Sequence, residues 1–229
     1  MFTEVLAFHG WGFDRHCWQF WQERFTELGY QFQAFDRGYF GNSYQPSFTD
    51  SDTRKIILAH SFGLHLCPID LLQQADVLIA FNSFLSFHPE SRAEKRRSQL
   101  VLQQMIRQFE QTPDLVLENF YTQAGYSYSL ESRLGRHPKN NSQLLLEDLQ
   151  QLNVAILDSS YLNSIAKIVV FHSANDRIVA ASQTQEFITL FPQSCEFFSI
   201  LNAEHGLPFT HAGECWSMLQ SIRSPAISR

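Results

Sequence analysis

Ser61, Asp176 and His205 are the residues of this chain best suited to covalent chemistry. A serine, then a carboxylate, then a histidine is a chain order that can turn an ordinary alcohol into a nucleophile. Ser61 stands in Ala59-His60-Ser61-Phe62-Gly63, after an apolar run and before a helical pattern. This matches the G-x-S-x-G elbow, with alanine in place of the first glycine. The elbow needs small residues two before and two after the serine, so that a strained turn can expose the hydroxyl, and alanine is still small. The hydroxyl then needs a histidine to take its proton and a carboxylate to orient that histidine. Asp176 lies in Ser173-Ala174-Asn175-Asp176-Arg177 and His205 in Asn202-Ala203-Glu204-His205-Gly206, each just past an apolar run.

Other assignments stay open at this level. Asp176 could cap the following helix or pair with Arg177, and Asp158 also follows an apolar run, Val154-Ala155-Ile156-Leu157. For the base, His60, His65 and His211 are the rivals of His205. Acyl transfer further requires two backbone N–H groups aimed at the developing oxyanion. Trp11, in His9-Gly10-Trp11-Gly12, and Phe62, just after the serine, occupy the expected places. The plainer reading of Gly10 and Gly12 is a tight turn. The sequence holds no H-E-x-x-H, no His/Asp cluster at ligand spacing and no paired cysteines. Gly38 and Gly41 lack the spacing and the lysine of a phosphate loop. We therefore expect no metal and no cofactor.

Positioning these residues requires strands that end at one edge. Apolar runs predict strands at Glu4–Phe8, Gln31–Phe35, Lys55–Ala59, Asp76–Phe81, Lys167–Phe171 and Cys195–Leu201. Helical spacing covers Cys17–Leu28, Ser61–Leu72, Ser182–Phe191 and Ala212–Ile222. This alternation predicts an α/β fold with a mostly parallel sheet flanked by helices. Between residues 85 and 152 the signal is only amphipathic helix, at Gln99–Phe109, Asp114–Tyr121 and Ser142–Leu152. We expect residues 1–84 and 153–229 to form one core and 85–152 an inserted helical lid.

The chain has 229 residues, 44% of them hydrophobic, and a net charge of −6. That suits one domain with a sizeable core. No apolar run approaches the roughly 20 residues needed to cross a bilayer, and the acidic balance without a basic stripe speaks against nucleic acid. Four scattered cysteines and a start without a signal-peptide pattern lead us to expect free thiols and a cytoplasmic protein. From Leu85 to Asn140 there are eight Lys and Arg against six Asp and Glu. This segment reads either as a solvated face or as a weakly basic surface for an acidic partner.

With these residues in view, the chain resembles the α/β-hydrolase family, and within it the pimeloyl-acyl-carrier-protein methyl ester esterases of biotin synthesis. The resemblance rests on His9-Gly10-Trp11-Gly12, Ala59-His60-Ser61-Phe62-Gly63 and Leu117-Glu118-Asn119-Phe120-Tyr121. It rests also on the Asp176 loop and on Ala203-Glu204-His205-Gly206-Leu207-Pro208-Phe209. It implies an α/β-hydrolase fold whose N-terminal strands are shortened or absent. It also implies Ser61 as nucleophile, Asp176 as acid, His205 as base, and Trp11 and Phe62 as oxyanion donors. Phe120, Tyr121 and Gln123 would line the acyl channel, and Arg133, Arg136 and Lys139 would contact an acidic acyl carrier protein bearing the pimeloyl methyl ester. Asn119 stands where the family pattern places a basic residue. The competing expectations are a general short-chain carboxylesterase or thioesterase acting on small esters, and a hydrolase fold kept as a binding module.

Overall fold

The computed structural model describes residues 2–49, 52–126 and 140–222. Six strands form one sheet: β1 (Thr3–Phe8), β2 (Gln31–Ala34), β3 (Arg54–His60), β4 (Val77–Phe81), β5 (Lys167–Ser173) and β6 (Cys195–Ile200). Their order across the sheet is β2-β1-β3-β4-β5-β6, and every neighbouring pair is parallel. No strand precedes β1 among the described residues.

The apolar runs form strands because both faces of this sheet are covered, so alternate side chains enter two different cores. Leu6, Phe8, Ile57, Ala59, Leu78, Ala80, Ile168 and Val170 point to one. Val5, Ala7, Ile56, Leu58, Val77, Ile79, Phe81, Val169 and Phe171 point to the other. The first core is closed by α2 (Gly63–Leu66), α3 (Ile69–Gln74) and Phe187 of α7 (Ala181–Leu190). The second is closed by Trp21 and Phe25 of α1 (Gln19–Glu27) together with α8 (Leu207–Thr210) and α9 (Ala212–Ser221). The single helix expected over Ser61–Leu72 is broken into α2 and α3. Pro68 drives Cys67 into an extended conformation (ψ 125°) and interrupts the hydrogen-bond ladder.

Between β4 and β5 lie α4 (Arg92–Phe109), α5 (Pro113–Gln123) and α6 (Ser142–Leu152). Helix α4 starts well before the expected Gln99, because its first two turns, Arg92 to Ser98, are polar and carry no apolar stripe. The buried faces of these helices meet Trp11, Phe13, Phe62 and Phe84 in a third apolar cluster, beyond the carboxyl ends of the strands. All four cysteines are free. No helix among the described residues is long and apolar enough to cross a membrane.

Candidate active site

In a parallel sheet every strand delivers its following loop to the same edge. Here the loops after β1, β3, β5 and β6 carry Trp11, Ser61, Asp176 and His205. Ser61 sits at the tight turn between β3 and α2 with φ 54°, a left-handed conformation that costs a non-glycine residue energy. Gly63 makes this turn sterically feasible. A Cβ at that position would lie 2.2 Å from the Phe8 carbonyl oxygen and 2.7 Å from that of His9. At Gly10 a Cβ would come within 3.0 Å of the Ser61 Cβ, so glycine lets the loop after β1 close on the serine. The alanine in place of the first elbow glycine is fully buried in the core under the sheet.

The Ser61 Oγ lies 2.9 Å from His205 Nε2, and His205 Nδ1 lies 2.8 Å from Asp176 Oδ2. A carboxylate can only accept, so Nδ1 carries the ring proton and Nε2 is left to accept from the serine hydroxyl. The Asp176 and His205 side chains are shielded from water, 0% and 1% exposed. The other oxygen of Asp176 accepts the N–H groups of Ile178 and Val179 at 2.8 and 2.9 Å. The two readings of Asp176 offered by the sequence, cap and orienting acid, are therefore both realised, one on each oxygen. Asp158 is exposed, and its carboxylate accepts the Ser160 N–H at 2.9 Å.

The rival histidines are engaged elsewhere. His60 Nε2 faces the His205 carbonyl oxygen at 2.9 Å, and burial with His205 alongside holds its ring well below the ordinary histidine range. His65 Nε2 meets the Phe84 carbonyl at 3.0 Å, and burial pushes that ring down to about 4. His211 Nδ1 lies 2.9 Å from the Thr210 hydroxyl.

The backbone N–H groups of Trp11 and Phe62 make no hydrogen bond among the described residues, although both residues are buried. Unpaired N–H groups beside a buried serine are free to receive a developing negative charge. Phe120 packs edge-on to Trp11 at 5.0 Å and lies 6.3 Å from the His205 ring, so it forms an apolar wall beside the serine. Tyr121 is buried against Phe13 and spends its hydroxyl on the Gly12 carbonyl. Gln123 is exposed near the C-terminal end of α5. Arg133, Arg136 and Lys139 lie outside the described residues. Among the described residues, no group of three His, Cys, Asp or Glu side chains could hold a metal ion.

Sequence reasoning missed three supports of this arrangement. Asn82 donates its side-chain amide to the His205 carbonyl at 3.0 Å. His9 accepts the Arg37 N–H on Nε2 and hands its Nδ1 proton to the Gly10 carbonyl at 2.8 Å. The Trp11 indole reaches the Leu145 carbonyl of α6 at 2.8 Å. A polar residue directly after a buried strand was the available signal for Asn82. The other two supports join segments too far apart in sequence to be paired.

No family model matches the chain, and a search of curated proteins gave no match. Solved structures do match in shape. An esterase from Exiguobacterium antarcticum superposes with TM-score 0.75 at 15% identity, covering 96% of this chain and 91% of that one. A bromoperoxidase from Bacillus anthracis gives TM-score 0.70 at 16% identity, with 96% and 91% covered. An epoxide hydrolase from Bacillus megaterium gives 0.68 at 14%, with 95% and 92% covered. The fold is that of an α/β-hydrolase. This α/β-hydrolase fold carries esterase, bromoperoxidase and epoxide hydrolase among those neighbours, so the chemistry of the present chain has to be argued from its own site.

Proposed function

We propose that the protein is a serine ester hydrolase. The observation that carries this reading is the continuous hydrogen-bonded line from the Ser61 hydroxyl through His205 to the buried Asp176. Ser61 attacks the ester carbonyl while its proton passes to His205 Nε2, and the carbonyl oxygen takes its negative charge between the N–H groups of Trp11 and Phe62. The tetrahedral adduct collapses, and His205 returns the proton to the departing alcohol. Water, deprotonated by the same ring, then releases the acid and restores the serine. Asp176 holds the tautomer and offsets the imidazolium charge.

The same reading makes residues 85–152 a lid over a core formed by 1–84 and 153–229. Phe120 and Tyr121 would line the acyl channel, with Gln123 near its rim. Support comes from the apolar faces of α4, α5 and α6, which gather over the serine with Trp11, Phe62 and Phe84. An apolar wall of this kind favours an alkyl chain and discriminates little among polar groups. For the substrate itself we propose the methyl ester of a pimeloyl group on acyl carrier protein, with methanol as the departing alcohol, as in biotin synthesis. This finer assignment rests on the His9–Gly12, Ser61 and His205 loop motifs, and Arg133, Arg136 and Lys139 would be its carrier contacts. The absence of a basic residue at Asn119 favours a second reading, an esterase acting on small esters without a carrier.

Two experiments test these levels. A fluorophosphonate probe should label Ser61 in the wild type, and failure to label would restore the binding-module reading. The purified protein should release methanol from carrier-linked pimeloyl methyl ester faster than it releases p-nitrophenol from p-nitrophenyl esters. Charge reversal at Arg133 and Arg136 should slow only the carrier-linked reaction. A broad p-nitrophenyl profile with no carrier preference, and no growth of a biotin-requiring strain supplied with the gene, would select the small-ester reading.

A further inference from the structure

Among the described residues Asn82 is the second non-glycine residue with a left-handed backbone, φ 45°, and it directly follows β4, beside the strand that leads into Ser61. It is fully buried, and the reaction described above makes no use of it. Its side chain joins two strand ends, its own and that of β5, to one loop. Nδ2 donates to the Ser173 hydroxyl at 2.8 Å and to the His205 carbonyl at 3.0 Å, while Oδ1 accepts the Ser173 N–H at 2.8 Å. The Ser173 hydroxyl in turn donates to the Glu204 carbonyl at 2.7 Å. The His205 carbonyl has a second donor, His60 Nε2 at 2.9 Å, coming from the end of β3.

The His60 ring is fully buried, and its Nδ1 has no hydrogen-bond partner among the described residues. A ring with one orphaned nitrogen and the other aimed at a carbonyl must be the neutral Nε2–H tautomer. Leaving a buried acceptor unpaired is costly, so the ring is kept for what Nε2 does. Two N–H donors from adjacent strand ends thus converge on one backbone oxygen, that of the residue whose ring faces Ser61.

We propose that Asn82 and His60 are positioning residues for the base. By clamping the His205 carbonyl they fix the start of that side chain against the rigid sheet, and so set the distance between its ring and the Ser61 hydroxyl. The inference rests on the reading of Ser61 and His205 as nucleophile and base. Asp176 restrains the ring from the far side, and the clamp restrains its backbone. A misplacement of about 1 Å in such a pair can cost on the order of 10²-fold in turnover.

The test compares Asn82→Gly, His60→Leu and His60→Gln in the full chain, using p-nitrophenyl ester turnover, thermal midpoint, and the low-field proton resonance of the His205–Asp176 hydrogen bond. Glycine accepts the positive φ at position 82 without strain, so Asn82→Gly removes the amide and leaves the turn. Asn82→Gly and His60→Leu should each lower kcat by about 10- to 10²-fold with KM nearly unchanged, and should broaden or shift the resonance. His60→Gln, whose amide can direct an N–H at the same carbonyl, should recover kcat to within about threefold of wild type. Should Asn82→Gly not fold, the His60→Leu and His60→Gln pair decides. Folded variants that keep kcat and the resonance of the wild type would overturn the proposal, as would equal loss in His60→Leu and His60→Gln. Ser61→Ala run alongside separates the two levels. If it retains turnover, the nucleophile assignment falls; if it is inactive while the clamp variants stay fully active, only the clamp falls.

Discussion

The carboxyl edge of the sheet and the helical segment between β4 and β5 meet around one serine, yet they are held by different forces. At the sheet edge Ser61, Asp176 and His205 are fixed by hydrogen bonds of 2.8–2.9 Å, anchored to strand ends. Over the site, α4, α5 and α6 approach mainly through rings and aliphatic side chains, with Phe109 and Phe120 edge-on to Trp11. Hydrogen bonds are directional and lose strength over tenths of an ångström, whereas apolar contact is not directional. The edge is thus suited to aligning reacting atoms, and the helical segment to accommodating a chain of variable shape.

The comparison is sharpest at the serine. Ser61→Ala should lower ester turnover by about 10⁶-fold, because the line of groups acts as a unit. The thermal midpoint should hold or rise, since the left-handed backbone is strained with either residue and only one partly used hydrogen bond is lost. Stopped assays with p-nitrophenyl acetate alongside calorimetry measure both quantities. Turnover that survives within about tenfold would place the chemistry outside the sheet edge.

Next in size is the acid. Asp176→Asn should cut kcat by about 10⁴-fold, since an amide in place of Oδ2 can favour the wrong tautomer of His205. Asp158→Asn should leave kcat unchanged, its carboxylate being an exposed cap for Ser160. The opposite ranking would overturn the assignment of the acid.

How much of this could be read in advance follows the same division. Strands were legible because continuous apolar runs have one stable use, burial on both faces of a parallel sheet, and the six strands lie within a residue or two of their expected positions. Ser61, Asp176 and His205 were legible through order and strand context. The choice between Asp176 and Asp158 was not, because both follow apolar runs and both cap a turn; only the approach of His205 separates them. Helix α2 was overextended for want of weight on Pro68, and the polar first turns of α4 carried no periodic signal. Asn82 stood out only as a polar residue after a buried strand, and the partners of Asn82, His60 and Trp11 were invisible because each tether ends on a backbone carbonyl, which every residue type possesses.

A smaller effect, on stability and not chemistry, is expected where the helical segment does carry a polar tie. Asp148 of α6 is buried and receives both Nε and Nη2 of Arg37 at 2.7 Å, with the Tyr39 hydroxyl at 2.6 Å. Burial beside this carboxylate drives the Tyr39 phenol well above its usual range, and the ion pair raises Arg37. Asp148→Ala leaves a tyrosine and an arginine without their acceptor. Breaking a buried pair costs about 3–5 kcal/mol; with the Arg37 side chain 35% exposed to water, about 2–4 kcal/mol is expected. Urea unfolding measures this, while kcat on small esters should stay within about threefold if the tie serves the fold. A kcat loss as deep as that of Asp176→Asn would erase the distinction between the two regions.

The finest probe is Trp11, which belongs to both regions. Its backbone N–H makes no hydrogen bond among the described residues, while its indole donates to the Leu145 carbonyl near the start of α6. Trp11→Phe keeps the backbone donor and an aromatic ring against Phe109 and Phe120 but removes the indole hydrogen bond. Loss of one neutral buried hydrogen bond, with the Leu145 carbonyl still able to serve its own helix, should cost about 1 kcal/mol of stability. If the loop after β1 is held mainly by Gly10 against the elbow and by the bonds of His9, kcat on p-nitrophenyl acetate should fall by less than about tenfold. If α6 itself aims the Trp11 N–H, the fall should reach the 10²–10³-fold typical of a missing oxyanion donor. That larger loss, without a matching drop in thermal midpoint, would make the helical segment part of the catalytic apparatus and end the separation drawn above.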